Sequence, residues 1–306
     1  MIRYVIRRLI YAIPVMLVVS IIVFAMLHIA PGDPASMLAG EDARPEDVAA
    51  VRAKFGLDQP LHIQYGVWLG NILQGDLGRS IVTRRPVLME IQSRLPSTIE
   101  LAVAALLIAM VVGMVVGVIS ATRQYSILDH STMIMALLGI SVPIFWLGLM
   151  LIFLFSVQLR WFPTGGGGTL QQLVLPAITL GAASTAIVAR MTRSSMLEVI
   201  RQDYVRTARS KGLVERVVLV RHALKNALIP VVTVIGLQFG YLLGGAVITE
   251  TVFSRPGLGR LLVASIMSQD FPVVQGTLML LAGSFVLVNL LVDILYGYLD
   301  PRIRYQ

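Results

Sequence analysis

Residues 97–120 read STIELAVAALLIAMVVGMVVGVIS. After Glu100 the stretch runs twenty residues without a charge. A helix that crosses a bilayer needs about 20 predominantly apolar residues. Its opening, Ser97-Thr98-Ile99-Glu100, has the spacing of a capping box, with Ser97 as N-cap and Glu100 at N3. The stretch therefore predicts a membrane-spanning helix with a structural role for Glu100 at its edge.

Five further segments meet the same criterion or nearly do. They are Leu9–Ile29, Thr132–Val157, Val174–Ala189, Leu228–Thr249 and Val274–Tyr296. The fold class is then all-α, with six transmembrane helices. Val174–Ala189 is short and rich in Ala, Ser and Thr, as suits a helix buried among others rather than facing lipid. The first segment follows Arg3, Arg7 and Arg8 like a signal peptide, but signal cores run only about 7–15 residues. We expect a retained anchor.

Composition agrees. Of 306 residues, 56% are hydrophobic and 14% charged, against roughly 45–50% and about 25% in ordinary globular chains. The net charge of +8 accompanies no aromatic-and-basic nucleic-acid motif, so it is read as loop charge meeting anionic lipid, with no nucleic acid as partner. With no cysteine, a disulfide, a thiolate metal site and a cysteine nucleophile are excluded. The four histidines have no ligand-spaced partners, and no metal site is expected.

Lysine and arginine in the loops set the orientation. Between the fourth and fifth segments lie Arg190, Arg193, Arg201, Arg206, Arg209, Lys211, Arg216, Arg221 and Lys225, with only Glu198, Asp203 and Glu215 as acids. That side is expected in the cytoplasm, together with both termini. Pro31–Pro96 carries seven basic and eight acidic residues and is expected outside. It holds its own helix signals: Pro45-Glu46-Asp47 opening a run that closes at Lys54, then Leu61, Tyr65, Leu69 and Ile72 at helical spacing, then a third short helix from Pro86 through Arg94. The domain organisation expected is 1–30 for the cytoplasmic N-terminus and first span, 31–96 for an extracytoplasmic helical segment, and 97–306 for the core, with a cytoplasmic loop at about 190–227.

Within that loop, Asp203 is a candidate N-cap and Gly212 a candidate C′ residue, bracketing about two helical turns. A short capped helix between two spans would lie across the membrane surface and move as a lever if a partner gripped it. A plain basic loop is the alternative.

Tyr204 through Gly212 (YVRTARSKG), followed by Arg221-His222-Ala223-Leu224-Lys225-Asn226-Ala227 and Pro230, resembles the coupling loop of bacterial ABC importer permeases. More narrowly it resembles the dipeptide, oligopeptide and glutathione importer permeases. The likeness continues through Ala30-Pro31-Gly32-Asp33-Pro34, Glu250-Thr251-Val252-Phe253, Pro256-Gly257-Leu258-Gly259, Asn289, Asp293 and Asp300-Pro301-Arg302-Ile303-Arg304-Tyr305. Gly236-Leu237-Gln238-Phe239-Gly240 brings it nearest to the glutathione group. Arg206-Thr207-Ala208 stands where the wider family has Glu-Ala-Ala, a departure that fits the peptide subgroup.

The resemblance implies the type I permease fold, in a bacterial inner membrane. It implies as partners a second homologous permease, two ATP-binding subunits and an extracytoplasmic substrate-binding protein. Substrate passes chemically unaltered, so the chain is not itself an enzyme. ATP and Mg are expected on the partner subunits, and the chain has no Gly-x-x-x-x-Gly-Lys-Ser/Thr loop. Coupling to the ATPase is assigned to Asp203, Tyr204, Arg206, Thr207, Ala208, Arg209, Lys211 and Gly212. Gly236, Gly240 and Gly244 form a small-residue stripe, either internal packing or, as we expect, the dimer axis and pathway, with Gln238 and Tyr241 beside it. Glu250, Phe253, Pro256 and Gly257 are assigned to an outer gate or binding-protein contact, followed by a short helix marked by Leu261, Leu262 and Ile266. Asp293 is expected to be structural, and Gly165–Gly168 a flexible turn. An ion-coupled secondary transporter would need several intramembrane ionisable groups, and a nickel or metal-chelate cargo would leave the permease role intact.

Overall fold

The computed structural model describes residues 2–29, 33–40, 43–54 and 56–299. The first half of the Ala30–Pro34 motif and the tail from Asp300 lie outside them. Among the described residues the regular elements are all helices, beside one isolated β-bridge between Arg79 and Pro86. The helices are α1 (Ile2–Ile29), α2 (Pro34–Ala39), α3 (Pro45–Lys54), α4 (Leu61–Leu73), α5 (Val87–Thr122), α6 (Ile127–Ser141), α7 (Ile144–Leu151), α8 (Leu170–Ile200), α9 (Asp203–Ser210), α10 (Glu215–Val217), α11 (Lys225–Val252), α12 (Leu258–Met267) and α13 (Phe271–Leu299). Two π-helical stretches, Ile152–Gln158 and Val218–Leu224, continue α7 and join α10 to α11. Five helices are long and apolar enough to cross a membrane, and a sixth span results if α6 and α7 are counted as one.

Three expectations need correction. The third apolar segment is not one straight span: it bends by 108° between α6 and α7. Val142 is extended at φ −75°, ψ 126°, as a residue preceding proline prefers, and Pro143 starts α7. Nor do Ser97 and Glu100 form a capping box. Helix α5 starts ten residues earlier, absorbs the short helix expected from Pro86, and runs through Pro96. Proline inside a membrane helix is tolerated because neighbouring groups re-satisfy the backbone. The Gly165–Gly168 turn, finally, is seated rather than loose. Gly166 N donates to the Phe253 carbonyl at 2.9 Å, and a Cβ on Gly165 would lie 2.1 Å from that oxygen.

The contacts divide the chain into two compact units, and the anchor and the segment expected outside do not stand apart. Among the described residues, Ile2–Ser97 clusters with Pro256–Val286, and Thr98–Arg255 with the end of α13 from Leu287.

In the first of these units, α1 lies along α4. Phe24 packs on Tyr65 and Trp68, Ser20 Oγ and Tyr65 Oη are 2.7 Å apart, and His28 Nε2 is 3.1 Å from Gln64 Oε1. A second core joins Val87, Ile91, Leu258 and Val273. Beside it Asp270 accepts from Ser80 Oγ and from Ile81 N, fixing the turn that leads into α5. Helices α3 and α4 match the sequence reading, as does α12 after the Pro256-Gly257 turn. Helix α2 was not foreseen. Asp33 is its N-cap, accepting from Ser36 N at 3.0 Å, with Pro34 in the first turn.

The other unit is built around α8. This was the least apolar candidate span, and 61% of its apolar window is buried, against 28% for α5. Lipid offers no hydrophobic drive for helices to associate, so close packing must supply it. Small residues allow it. A Cβ on Gly113 would lie 2.9 Å from the Thr185 carbonyl, and one on Gly181 2.8 Å from the Ala105 carbonyl. The core of Leu101, Ala102, Ala105, Ala177, Leu180, Leu242, Leu243 and Ala246 brings α5, α8 and α11 together.

Candidate functional site

Helix α8 ends at Arg201, and the extended Gln202 (ψ 148°) turns the chain into α9. The N-cap is Gln202, without a side-chain hydrogen bond; Asp203 is the first helical residue and exposed, not the cap expected. Its negative charge still faces the positive end of the helix dipole. The other end is as foreseen. Gly212 follows the C-cap Lys211 with φ +76° and returns its N–H to the Arg209 carbonyl at 2.9 Å. A glycine takes that left-handed conformation without strain.

Helix α9 is amphipathic over eight residues, about 12 Å at 1.5 Å per residue. Val205 and Ala208, three apart, pack on Val199 and Val218. Burying a valine completely contributes roughly 1.5 kcal/mol or more, and Val205 is 0% exposed. Ala208 was assigned to the partner-facing surface. It is buried instead, so it seats α9 rather than touching a partner. Asp203, Tyr204, Arg206, Thr207, Arg209, Lys211 and Gly212 all face outward.

Four polar contacts fasten this surface. Asn226 Nδ2 donates to Tyr204 Oη at 2.7 Å, and that hydroxyl reaches the His222 carbonyl at 3.4 Å. Arg209 grips Glu215 with two N–H donors, at 3.2 and 2.8 Å. The Glu215 carboxylate, by hydrogen bond and charge, holds the Arg209 pKa above its ordinary value. Arg206 stands 3.6 Å from Asp203. Sequence reading found the helix but not these fastenings, because Asn226 and Glu215 come from beyond the turn.

The residues expected at the pathway divide between two faces of α11. Gly236 packs inside the subunit, since a Cβ there would lie 2.7 Å from Val292 of α13. Gly240 and Gln238 are buried, and among the described residues Gln238 Nε2 has no hydrogen-bond partner. Gly244 faces open space, in line with exposed Leu237, Tyr241 and Ile248 at helical spacing. The three glycines therefore do not act as one stripe.

At the far end of α11, Glu250 and Phe253 are 0% and 1% exposed, which leaves them no surface for a binding protein. Thr98 Oγ1 donates to Glu250 at 2.6 Å, and Arg255 pairs with Glu100. This is the structural role of Glu100, an ion pair in place of a cap. In the unit to which they belong, Pro256 is exposed and Gly257 is the buried N-cap of α12. Asp293 on α13 is partly buried.

Residues 113–305 match the family described as "Binding-protein-dependent transport system inner membrane component", and residues 1–102 match its N-terminal companion. The chain belongs to this family. It is similar over its full length to the "Glutathione transport system permease protein GsiC" of Salmonella typhimurium strain LT2 and of Escherichia coli K12. Each is 47% identical over 306 residues, with 100% of both chains covered. A solved structure titled "Crystal structure of an amino acid ABC transporter with histidines" matches with a TM-score of 0.54. It covers 70% of this chain and 94% of that one at 16% identity, and so speaks for the fold alone. The binding-protein-dependent permease fold is thus all-α and multi-pass, in an inner membrane, and the chain is the permease subunit of an ABC importer.

Proposed function

We propose that this permease carries small peptides, glutathione foremost among them, into the cytoplasm, powered by separate ATPase subunits that seat on α9. The observation that carries the reading is α9 itself: a short exposed helix, clamped by Tyr204 and Val205 between α8 and α11 and closed by Gly212. Such a helix passes a push from its outer face directly into two long apolar helices. The names borne by full-length relatives at 47% identity support glutathione as cargo.

The α9 side is cytoplasmic in this reading, as its nine basic residues require, and both termini lie there too. Two ATP-binding subunits hold ATP and Mg and press on Asp203, Arg206, Thr207, Arg209 and Lys211. A second, homologous permease faces the open side of α11 at Tyr241 and Gly244, with lipid around the pair. A binding protein delivers cargo on the opposite side, near Pro256 and Gly257. The exterior segment is residues 31–96, and the core begins at residue 97.

The test is purification from the native membrane in mild detergent, with ATP hydrolysis and uptake measured with and without Gly212→Pro. Proline cannot adopt a positive φ and lacks the N–H given to Arg209. The reading expects a second permease and ATPases to co-purify, and expects the variant complex to assemble but lose uptake-linked hydrolysis. Uptake that proceeds without ATP would sink it. Competition of labelled glutathione by dipeptides or by a nickel chelate decides the cargo.

A further inference from the structure

Helix α9 is only as useful a lever as its mounting is rigid. Its sole covalent tie to α8 is the two-residue joint Arg201-Gln202, and α8 packs on α5 through a smooth groove. A Cβ on Gly117 would lie 2.5 Å from Thr192 Cβ and 2.6 Å from the Ala189 carbonyl. Val188 and Thr192 of α8 seat against Gly113 and Gly117 of α5, which sets the separation of the two helices, but apolar contact of this kind supplies no directional bond to fix their rotation.

One buried carboxylate closes that freedom. Asp129, in the first turn of α6, is 3% exposed. It accepts Arg193 Nε at 2.7 Å and Arg193 Nη2 at 2.8 Å, both from α8. It also accepts Ser120 Oγ from α5, and Tyr125 N at 3.0 Å from the turn between α5 and α6. Four donors from three elements meet on one group. The guanidinium fork is planar and bidentate, so it fixes the rotation of α8 as well as its distance. Arg193 lies ten residues before α9, and between the two, Met196 of α8 packs into an apolar cluster with Ala121, Ala223 and Ala227.

We infer that Asp129 and Arg193 are positioning residues for coupling. They lock α8 to α5 and α6, so that displacement of α9 moves all three helices as one body. The inference rests on the reading of α9 as the ATPase contact, and touches neither ATP nor cargo. A buried ion pair adds little net stability over an apolar isostere; what this one adds is a fixed geometry.

The chain has no cysteine, so two labels can be placed in it without competition from its own side chains, with the cysteines of the partner subunits replaced first. Spin labels at Arg123→Cys, in the exposed turn after α5, and Ser210→Cys, at the end of α9, report whether the body is rigid. The host is the full complex with its ATPases and binding protein, and the probe is labelled glutathione. In the parent chain the label distance should stay constant between nucleotide-free and ATP-bound states. In Asp129→Asn/Arg193→Gln, which strands no single buried charge, the distribution should broaden, and glutathione moved per ATP should fall at least tenfold while hydrolysis continues. Arg193→Lys keeps the charge but loses the fork, and should fall between. A parent distance that shifts with nucleotide overturns the inference, as does a double variant with unchanged distance and unchanged uptake per ATP. A double variant that fails to assemble at all, with Arg193→Lys fully active, overturns it too, since the pair would then serve folding alone. Failure of the α9 reading shows separately, as a Gly212→Pro complex that still couples.

Discussion

Gly117→Ala should be among the most costly single-methyl additions in this protein. The new Cβ would sit 2.5 Å from Thr192 Cβ, 2.6 Å from the Ala189 carbonyl oxygen and 3.0 Å from Thr192 Cγ2, where ordinary contact begins near 3.4 Å. None of these atoms can retreat: one is backbone, and Thr192 is a β-branched side chain at 0% exposure. Helices α5 and α8 must therefore part by about 1 Å, and overpacking of that kind costs roughly 1–3 kcal/mol. At 1.4 kcal/mol per factor of ten, that is about a 5- to 150-fold shift in the folded population. Alanine is the better helix former by about 1 kcal/mol, so the measured loss is net of that gain. For the subunit purified on its own, away from any second permease, Gly244→Ala supplies the control, because a Cβ there meets nothing within 4 Å and keeps the propensity gain alone. Both variants would be purified in the same detergent and unfolded by denaturant titration, followed by tryptophan fluorescence. If Gly117→Ala unfolds no earlier than the parent, or Gly244→Ala unfolds as early as Gly117→Ala, the close α5–α8 approach is not what holds this unit together.

Three other outcomes follow from named contacts. Val205→Asp places a carboxylate against Val199 and Val218, so α9 should detach and tryptic cleavage after Arg206 or Arg209 should quicken about tenfold or more, given a burial cost of several kcal/mol for an unpaired charge; an unchanged digestion rate would refute the seating. Thr98→Val removes the hydroxyl that donates to the fully buried Glu250. It should destabilise by about 1–3 kcal/mol in the same titration, as a buried acceptor loses a donor, whereas Thr98→Ser should be near neutral. The Asp33 carboxyl is held below its ordinary value first by hydrogen bonding from Ser36, with Arg52 adding to it. Its folded value being the lower one, the cap on α2 is fully present above the unfolded carboxylate range and is lost as pH falls through the folded value. The protection of Ser36 N, its exchange rate taken relative to the intrinsic rate at each pH, should fall there and stay level between pH 5 and 8.

Which features could be read from sequence depended on how far apart the partners lie. The acidic start of α3, the glycine that ends α9, the positions of α4 and α12, and the buried character of α8 all come from residues within two or three turns of one another. Local pattern suffices for such features. The start of α5 was misread because Pro96 followed by Ser-Thr-x-Glu is a strong local start signal, overruled by Val87 and Ile91 packing onto Leu258 and Val273, more than 160 positions away. The break at Val142-Pro143 was present in the sequence as a proline inside an apolar run. The same mark stands inside unbroken helices at Pro96, Pro176 and Pro230, so by itself it does not decide a break. Locally Asp129 reads only as part of a helix start, three residues after the N-cap Ser126, whose Oγ accepts from Asp129 N at 3.2 Å. It is one acid at the edge of a span, and only the fold places it against Arg193, 64 positions on.

Arg193 also shows why counting loop charges recovers topology but not architecture. In the sequence it is one of nine basic residues that fix which side faces the cytoplasm. In the structure those nine take different parts. Arg193 and Arg209 are committed to Asp129 and Glu215, while Arg201, Lys211, Arg216 and Lys225 remain on the surface, where anionic headgroups or an acidic partner can meet them. The division follows from where polar contacts help a membrane protein most. Mid-span, a charge is costly and helix contact falls to glycine and alanine, as at Gly113, Gly117 and Gly181. At the span ends water and headgroups lower that cost, and directional ion pairs such as Asp129–Arg193 and Glu100–Arg255 can set the angles that smooth packing leaves open. The charges that orient the chain during insertion thus include one that afterwards holds α8, and with it α9, in register.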